Sequence, residues 1–159
     1  MDKSMRRKDR EITDFSKMLE VLSSCDCCRL GLTDEGQAYI VPMNFGYETA
    51  DGNLILYFHS AGKGRKIDLL PRQDTVSFEA DCRHALIEGD SPCAFSYRYQ
   101  SVMGTGKLEL LSGQEAKIHG LEKIMEHYTN ANHWDFRPEM VERAAVLRLT
   151  VLDWSCKMH

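Results

Sequence analysis

His59, Ser60, Lys63, Arg65 and Lys66 fall within eight consecutive positions, beside Gly62 and Gly64, in a chain of 159 residues whose formal charge is −4. Cations concentrated in one stretch of an acidic protein have the composition of an anion site. Glycine lets backbone amides approach a ligand, while hydroxyl, lysine and arginine groups satisfy phosphate oxygens. A helix opening near Gly64 would aim its positive end at the same point. The spacing is not the G-x-x-x-x-G-K-[ST] of a nucleotide-binding P-loop, and G-K-G does not complete G-x-G-x-x-G. A solvated basic turn between a strand and a helix has the same composition, and spacing does not separate the two. His59, following Tyr57 and Phe58, reads on its own residues as a strand-end histidine before it reads as a catalyst.

Other chemistries find less support. Six cysteines in 159 residues are too few for a disulfide-built scaffold, so they are expected as reduced thiols. Cys25, Cys27 and Cys28 cluster, but no second C-x-x-C or H-x-x-x-H supplies the other half of a zinc site, and no metal is expected. Small buried hydrophobes is the simplest role for these thiols. The sequence has no G-x-S-x-G elbow and no H-E-x-x-H helix, which leaves hydrolase chemistry without a nucleophile or a metal. A pI near 5.9 argues against a general nucleic-acid binder. No apolar run approaches the ~20 residues of a membrane span, and no apolar segment follows the basic residues near Met1. The expectation is a cytoplasmic protein with neither a membrane nor a nucleic acid as partner.

The elements that must position the basic stretch follow from periodicity. Residues 1–12 are charged and apolar-poor and read as a surface arm. Phe15, Met18, Leu19 and Leu22 make a helical stripe, with Thr13 as its cap. Strands are expected over 28–32, 38–42, 44–49 and 54–59, separated by D-E-G and D-G-N hairpin signals, with Pro42 at a bulge or bend. Ile67, Leu69 and Leu70 imply a short helix closed by Pro71. Strand signals return over 75–81; 83–92 reads as a loop, and 95–111 as one long bent strand or a hairpin with glycines at its corner. Ser112 and Glu115 form a capping box before a helix with the stripe Ile118, Leu121, Ile124, Met125 and Tyr128. Pro138 opens a short turn, and Val146–Val151 closes the chain as a strand. With no repeats or linker, residues 1–159 are expected as a single mainly β domain with peripheral helices, and a small antiparallel barrel hides the strand edges economically.

The ordered set R-L-G-L, the D-E-G hairpin, Y-I-V-P-M-N-F-G-Y-E, L-Y-F-H-S-A-G-K-G-R-K-I-D-L-L, V-S-F-E-A-D and S-V-M-G-T-G-K-L-E-L-L resembles the nitroimidazole-resistance branch of the pyridoxamine 5′-phosphate oxidase-like flavoproteins. The resemblance spans most of the chain. It implies an FMN-binding split β-barrel, an antiparallel Greek-key barrel of six strands with flanking helices, in a homodimer holding two flavins at its interface. On this chain it places Val41, Pro42, Met43 and Asn44 along the flavin, and His59, Ser60, Lys63, Arg65 and Lys66 around its phosphate. Ser101, in the S-V-x-x-x-G-K strand, would reach the partner's flavin. His59 gains an active-site role by the same resemblance. Met43, Phe45 and Trp134 are candidates for an apolar wall against the ring.

The implied activity is an FMN-dependent oxidoreductase that takes electrons from a reduced nicotinamide or another donor and reduces a small molecule, nitroimidazole being the branch's substrate. True pyridoxamine phosphate oxidases carry a basic segment before the central hairpin and a C-terminal substrate-binding extension that this sequence lacks, which argues against vitamin B6 chemistry. The alternative is a flavin- or haem-binding module that stores or senses without turnover.

Overall fold

The structure, a computed structural model, describes residues 5–159. Residues 1–4 of the expected arm lie outside it. The rest of that arm is tied down: Glu11–Ile12 forms a short strand, β1, paired with Lys157 and Cys156. The first helix, α1 (Phe15–Ser23), buries Met18, Val21 and Leu22. Asp14 caps it in place of Thr13, its carboxylate accepting from the Lys17 amide at 2.9 Å. That carboxylate also puts a negative charge at the positive helix end, which threonine does not.

The meander runs as β2 (Cys28–Asp34), β3 (Gln37–Met43), β4 (Phe45–Ala50) and β5 (Asn53–Ala61). Its two tight turns, Glu35–Gly36 and Asp51–Gly52, have positive φ at both residues, the backbone that matches the twist of a two-residue hairpin. Pro42 makes no bulge. On β3, an edge strand where a missing N–H costs no ladder bond, it pairs in regular register with Arg29 of β2. After β5 come the single-turn helix α2 (Arg65–Leu69) and a 3-10 turn through Pro71.

The next two strands are longer than the sequence suggested. Residues 83–87, read as loop, continue β6 (Val76–Ile87) beyond an irregularity between Cys82 and Ala85. Pairing with Ser96, Tyr97 and Arg98 gives this stretch its backbone partners, so it needs no apolar alternation. β7 (Ser96–Leu110) is one strand, shifted in register between Thr105 and Gly106 against β8 (Ala144–Met158). A Cβ at Gly104 would stand 2.5 Å from the Asp153 carbonyl oxygen and 2.6 Å from the Phe78 ring. Glycine there is required by close approach.

Seven strands follow one antiparallel path, β3-β2-β6-β7-β8-β5-β4, with β1 alongside β8. The expected barrel is therefore present in its split form, with more strands than six and an unclosed sheet. Its two end strands, β3 and β4, are consecutive in the chain and joined through Asn44. That covalent link curls the path, and Leu30, Phe45, Phe58, Phe78, Val102 and Leu147 fill the concave side.

Helix α3 (Gln114–Tyr128) covers the β4–β5–β8 side, and α4 (Pro138–Arg143) leads into β8. The Ser112–Glu115 box does not form. Gly113 is the N-cap at φ 84°, with no side-chain cap, and this left-handed entry leaves Ser112 one residue too early. Gly46 on β4 faces the α3 backbone at Lys123 and Ile124 with no room for a side chain. Tyr57, Leu111, Ile124 and Val146 form a second apolar cluster beneath the helix. At its C-terminal end His127 Nε2 donates to the Cys25 carbonyl at 2.7 Å and the Tyr128 hydroxyl donates to the Asp26 carbonyl at 2.7 Å.

Candidate functional site

The basic stretch lies where the split barrel fails to close. β5 carries His59, Ser60 and Ala61 opposite Val146, Ala145 and Ala144 of β8, and Gly62 passes close to the Arg143 carbonyl. The last β4–β5 pair is Phe45 with Phe58. One step further in that register Asn44 stands opposite His59, and both side chains are exposed. The basic stretch leaves this rim at His59, and further along it Arg65 reaches Asp34 and Tyr39 beside the β2–β3 turn.

Alternation divides the four residues expected along the flavin. Val41 and Met43 turn inward, Met43 buried and Val41 packed on the core, while Pro42 and Asn44 face out. Met43 and Phe45 are therefore core side chains and not parts of a ring-facing wall. The backbone of β3 is a different matter. It is bonded to β2 on one side alone, so its other row of N–H and C=O groups is open to a ligand.

The cations differ in their engagement. Lys63 is exposed and Lys66 half-buried, and among the described residues neither belongs to an ion pair. Arg65 is held: its Nε and Nη2 donate to Asp34 Oδ2 at 2.8 and 2.7 Å, and its guanidinium lies over the Tyr39 ring, 4.5 Å from the centroid. The Ser60 hydroxyl donates to the Ala61 carbonyl at 2.9 Å and keeps its lone pairs. Helix α2 has five residues, too few for its end to act as the expected positive pole, so the side-chain charges carry any anion recognition. Two lysines without acidic partners, an arginine with an exposed edge, a hydroxyl and flexible glycine backbone form a donor set that fits a phosphate dianion.

Ser101 and Trp134 lie elsewhere. Ser101 stands on β7 between Asp81 of β6 and Lys157 of β8. It lines a groove of about 610 Å³ together with Ser77, Met103, Thr105, Asp153 and Lys157. Trp134 is half-buried in the segment between α3 and α4 and belongs to neither apolar cluster.

A constellation that sequence reasoning missed sits under α3. Glu48 on β4 accepts from the Tyr57 hydroxyl at 2.6 Å, and both its oxygens accept from His119 Nε2 at 3.0 Å. Burial alone would raise the Glu48 carboxyl; the hydrogen bonds from Tyr57 and His119 outweigh it and hold the group below the ordinary range. Burial and this carboxylate push the Tyr57 phenol up. The three groups satisfy one another and pin α3 to the sheet. Their spacing, 48 to 57 to 119, has no local signature; the β4–β5 register sets Glu48 opposite Ile55, which makes Tyr57 its diagonal neighbour.

The thiols divide by burial, with Cys27 half-buried and Cys93 exposed. Cys25, Cys28, Cys82 and Cys156 are buried and unpaired. Burial raises all four, Cys156 to about 11, which suppresses the reactive thiolate. No cluster of three metal-ligating side chains occurs among the described residues, and no helix there is long and apolar enough to cross a membrane.

The family described as pyridoxamine 5′-phosphate oxidase matches residues 14–158. The chain belongs to this family. Among solved structures, it is similar to a candidate 5-nitroimidazole antibiotic resistance protein from Bacteroides thetaiotaomicron, with 34% identity and a TM-score of 0.81 over 93% of this chain and 86% of that one. A flavocytochrome from Azotobacter vinelandii shares 21% identity at TM-score 0.80, covering 98% of this chain and 72% of its own. The FAD and haem binding protein of Mycobacterium smegmatis shares 17% at 0.79, covering 94% and 73%. At those two identities the likeness is one of fold. No curated protein matches the sequence at a significant level. The split barrel expected of this oxidase family is the architecture found.

Proposed function

We propose that this protein is a cytoplasmic FMN-binding oxidoreductase that works as a homodimer of single-domain chains and reduces a small nitroaromatic molecule. The observation that carries the reading is the seam itself: two lysines outside any ion pair among the described residues and a glycine-flexed turn follow His59, in a chain with an open β3 edge that is 34% identical to a candidate nitroimidazole-resistance protein.

Lys63, Lys66 and the exposed edge of Arg65 would neutralise the phosphate, with Ser60 as a further partner. The backbone of residues 41–44 would meet the polar edge of the ring. Bound FMN would supply transfer of two electrons from a reduced nicotinamide or similar donor to the acceptor. His59, exposed at the same rim, would hold a ring-nitrogen proton for delivery to the reduced substrate.

The dimer answers a physical need. Ile40, Gly31, Ser77, Thr105 and Asp153 form one row across five strands on the convex face. On that face Ile40 is 64% and Met103 57% exposed. A second copy laid on this surface would cover them and bring its Ser101 groove against the first copy.

The test is spectroscopic. Purified protein is incubated with excess FMN, dialysed and scanned, then treated anaerobically with NADH or NADPH, and last given a nitroimidazole. Retained yellow absorbance that bleaches with the nicotinamide and returns with the nitro compound supports the enzyme. Colourless protein defeats the flavin assignment. A Soret band on haem addition without flavin retention favours the binding module related in fold to the haem proteins above. In the loaded protein, unchanged turnover by His59→Ala would remove that residue from proton delivery.

A further inference from the structure

Arg65 is the best-anchored cation of the seam, and its anchors come from another part of the chain. Asp34 ends β2 and Tyr39 stands on β3, across the Glu35–Gly36 turn. The guanidinium has five N–H groups in a rigid plane. Its Nε and Nη2 face one carboxylate oxygen of Asp34, and its flat side is laid on the Tyr39 ring. Those two contacts fix both the position and the tilt of the plane. The Nη1 edge is left pointing away from Asp34, on a side chain 57% exposed.

An arginine that only stapled the hairpin tip to α2 would be redundant. Gln73, just past the 3-10 turn that follows α2, already ties this segment to the hairpin, its amide exchanging hydrogen bonds with the Thr33 backbone N–H at 2.9 Å and C=O at 2.8 Å. The geometry points to Asp34 and Tyr39 as positioning residues: they hold Arg65 so that its Nη1 edge is presented, already ordered, to the phosphate of a flavin mononucleotide. The inference rests on the flavin reading above and adds to it the residues that set phosphate specificity. Ordering a long side chain before the ligand arrives removes an entropy cost from binding. An exposed lysine such as Lys63 must meet that cost on binding.

The competing electrostatic outcome has the opposite sign. Asp34 carries a negative charge beside the site, and if it merely occupied Arg65 in the phosphate's place, removing it would tighten binding. Asn retains an acceptor oxygen for the guanidinium while losing the charge; Ala loses both. The two substitutions therefore separate positioning from competition.

The experiment titrates full-length protein with FMN and with riboflavin, which has the same ring and ribityl chain without the phosphate, following flavin fluorescence quenching. Asp34→Ala is expected to weaken FMN binding about tenfold, the scale of one exposed charge-assisted contact, with riboflavin changed less than twofold. Asp34→Asn is expected to restore FMN affinity to the wild-type value or better. Tyr39→Leu, which removes the stacking plane, is expected to weaken FMN about threefold, again sparing riboflavin. Equal losses for the two flavins, or an Asp34→Ala protein that holds FMN as tightly as wild type, would overturn the inference while leaving the flavin site standing. Wild-type protein that quenches neither flavin would refute the flavin reading and this inference with it. Circular dichroism melts identify any variant that has unfolded, and for such a protein the Asp34→Asn and Tyr39→Leu pair decides the question.

Discussion

Replacing Gly46 with alanine tests how α3 is held. The added Cβ would fall within van der Waals overlap of the Lys123 carbonyl and the Ile124 amide. These are backbone atoms inside a helix, so no rotamer change relieves the contact and α3 must move away as a body. Overpacking of this kind costs roughly 1–3 kcal/mol, and a backbone obstacle argues for the upper end. Against it stands the ~0.4–1 kcal/mol gained because alanine restricts the unfolded chain. The net expectation is a loss of about 2–2.6 kcal/mol. For a domain of this length each kcal/mol lowers Tm by roughly 2–4 °C, so a fall of about 4–10 °C should appear in thermal melts, with the denaturant midpoint lowered in step. Gly120 supplies the control from the other side of the same interface. Its Cβ would lie 2.9 Å from the Tyr57 ring and from Val146 Cγ1, side-chain rather than backbone atoms, and alanine inside a helix recovers ~1 kcal/mol of propensity. Gly120→Ala should therefore be milder by ~1 kcal/mol or more. Were Gly46→Ala within about 0.5 kcal/mol of wild type, the close approach of α3 to β4 would be wrong. A Gly120→Ala protein less stable than Gly46→Ala would place the tight contact at the wrong glycine.

Two further outcomes follow from the site and the α3 clamp. Lys63→Ala combined with Lys66→Ala should weaken FMN by about 100-fold, two exposed charge-assisted contacts at ~1.5 kcal/mol each, while riboflavin affinity holds; parallel losses for both flavins would remove the lysines from phosphate recognition. The Glu48 carboxyl titrates lower folded than unfolded, so its contribution to stability is complete above its unfolded pKa and disappears as pH falls through the folded one. Denaturant midpoints taken from pH 7 down to pH 3 should show wild type losing its advantage over Glu48→Gln across the acid end. Two curves that stay parallel would mean the Tyr57 and His119 bonds do not favour the ionised form.

What the sequence disclosed, and what it withheld, divides along physical lines. The β2–β5 meander was legible because each hairpin turn carries its own chemistry, D-E-G and D-G-N, and those residues do adopt the left-handed pair the turns require. The extension of β6 through residues 83–87 was illegible. Its side chains do not alternate, and its backbone is satisfied by a partner strand nine or more residues away. The two misread caps failed for a related reason: Asp14 and Gly113 win by one position, a distance settled by where the chain enters the helix. Within the site, the concentration of cations between 63 and 66 was visible, yet their unequal standing was not. Nothing in G-K-G-R-K says that Asp34, some thirty positions earlier, occupies the arginine and leaves the lysines unpaired. Nor could local pattern show that Met43 belongs to the core and Asn44 to the rim; the β2–β3 register decides that.

The split in the barrel bears directly on what the seam can do. In a closed ladder the outer edge of β3 would be paired with its neighbour, and an amide already donating to a strand has little to offer a ligand. Here β3 and β4 meet at the single residue Asn44 and are not hydrogen-bonded to each other, so the edge stays available beside the cationic turn. An exposed edge is ordinarily a hazard, since it can recruit another strand. Pro42 on β3 blunts it by lacking a donor, and the half-buried Tyr39 under Arg65 caps its start. An edge kept open but guarded against strand addition is suited to a planar polar ligand. If the guard is real, Pro42→Val should leave the fold intact yet promote self-association of the protein, visible as added mass in light scattering; a variant as monodisperse as wild type would show that the edge is protected by something other than its proline.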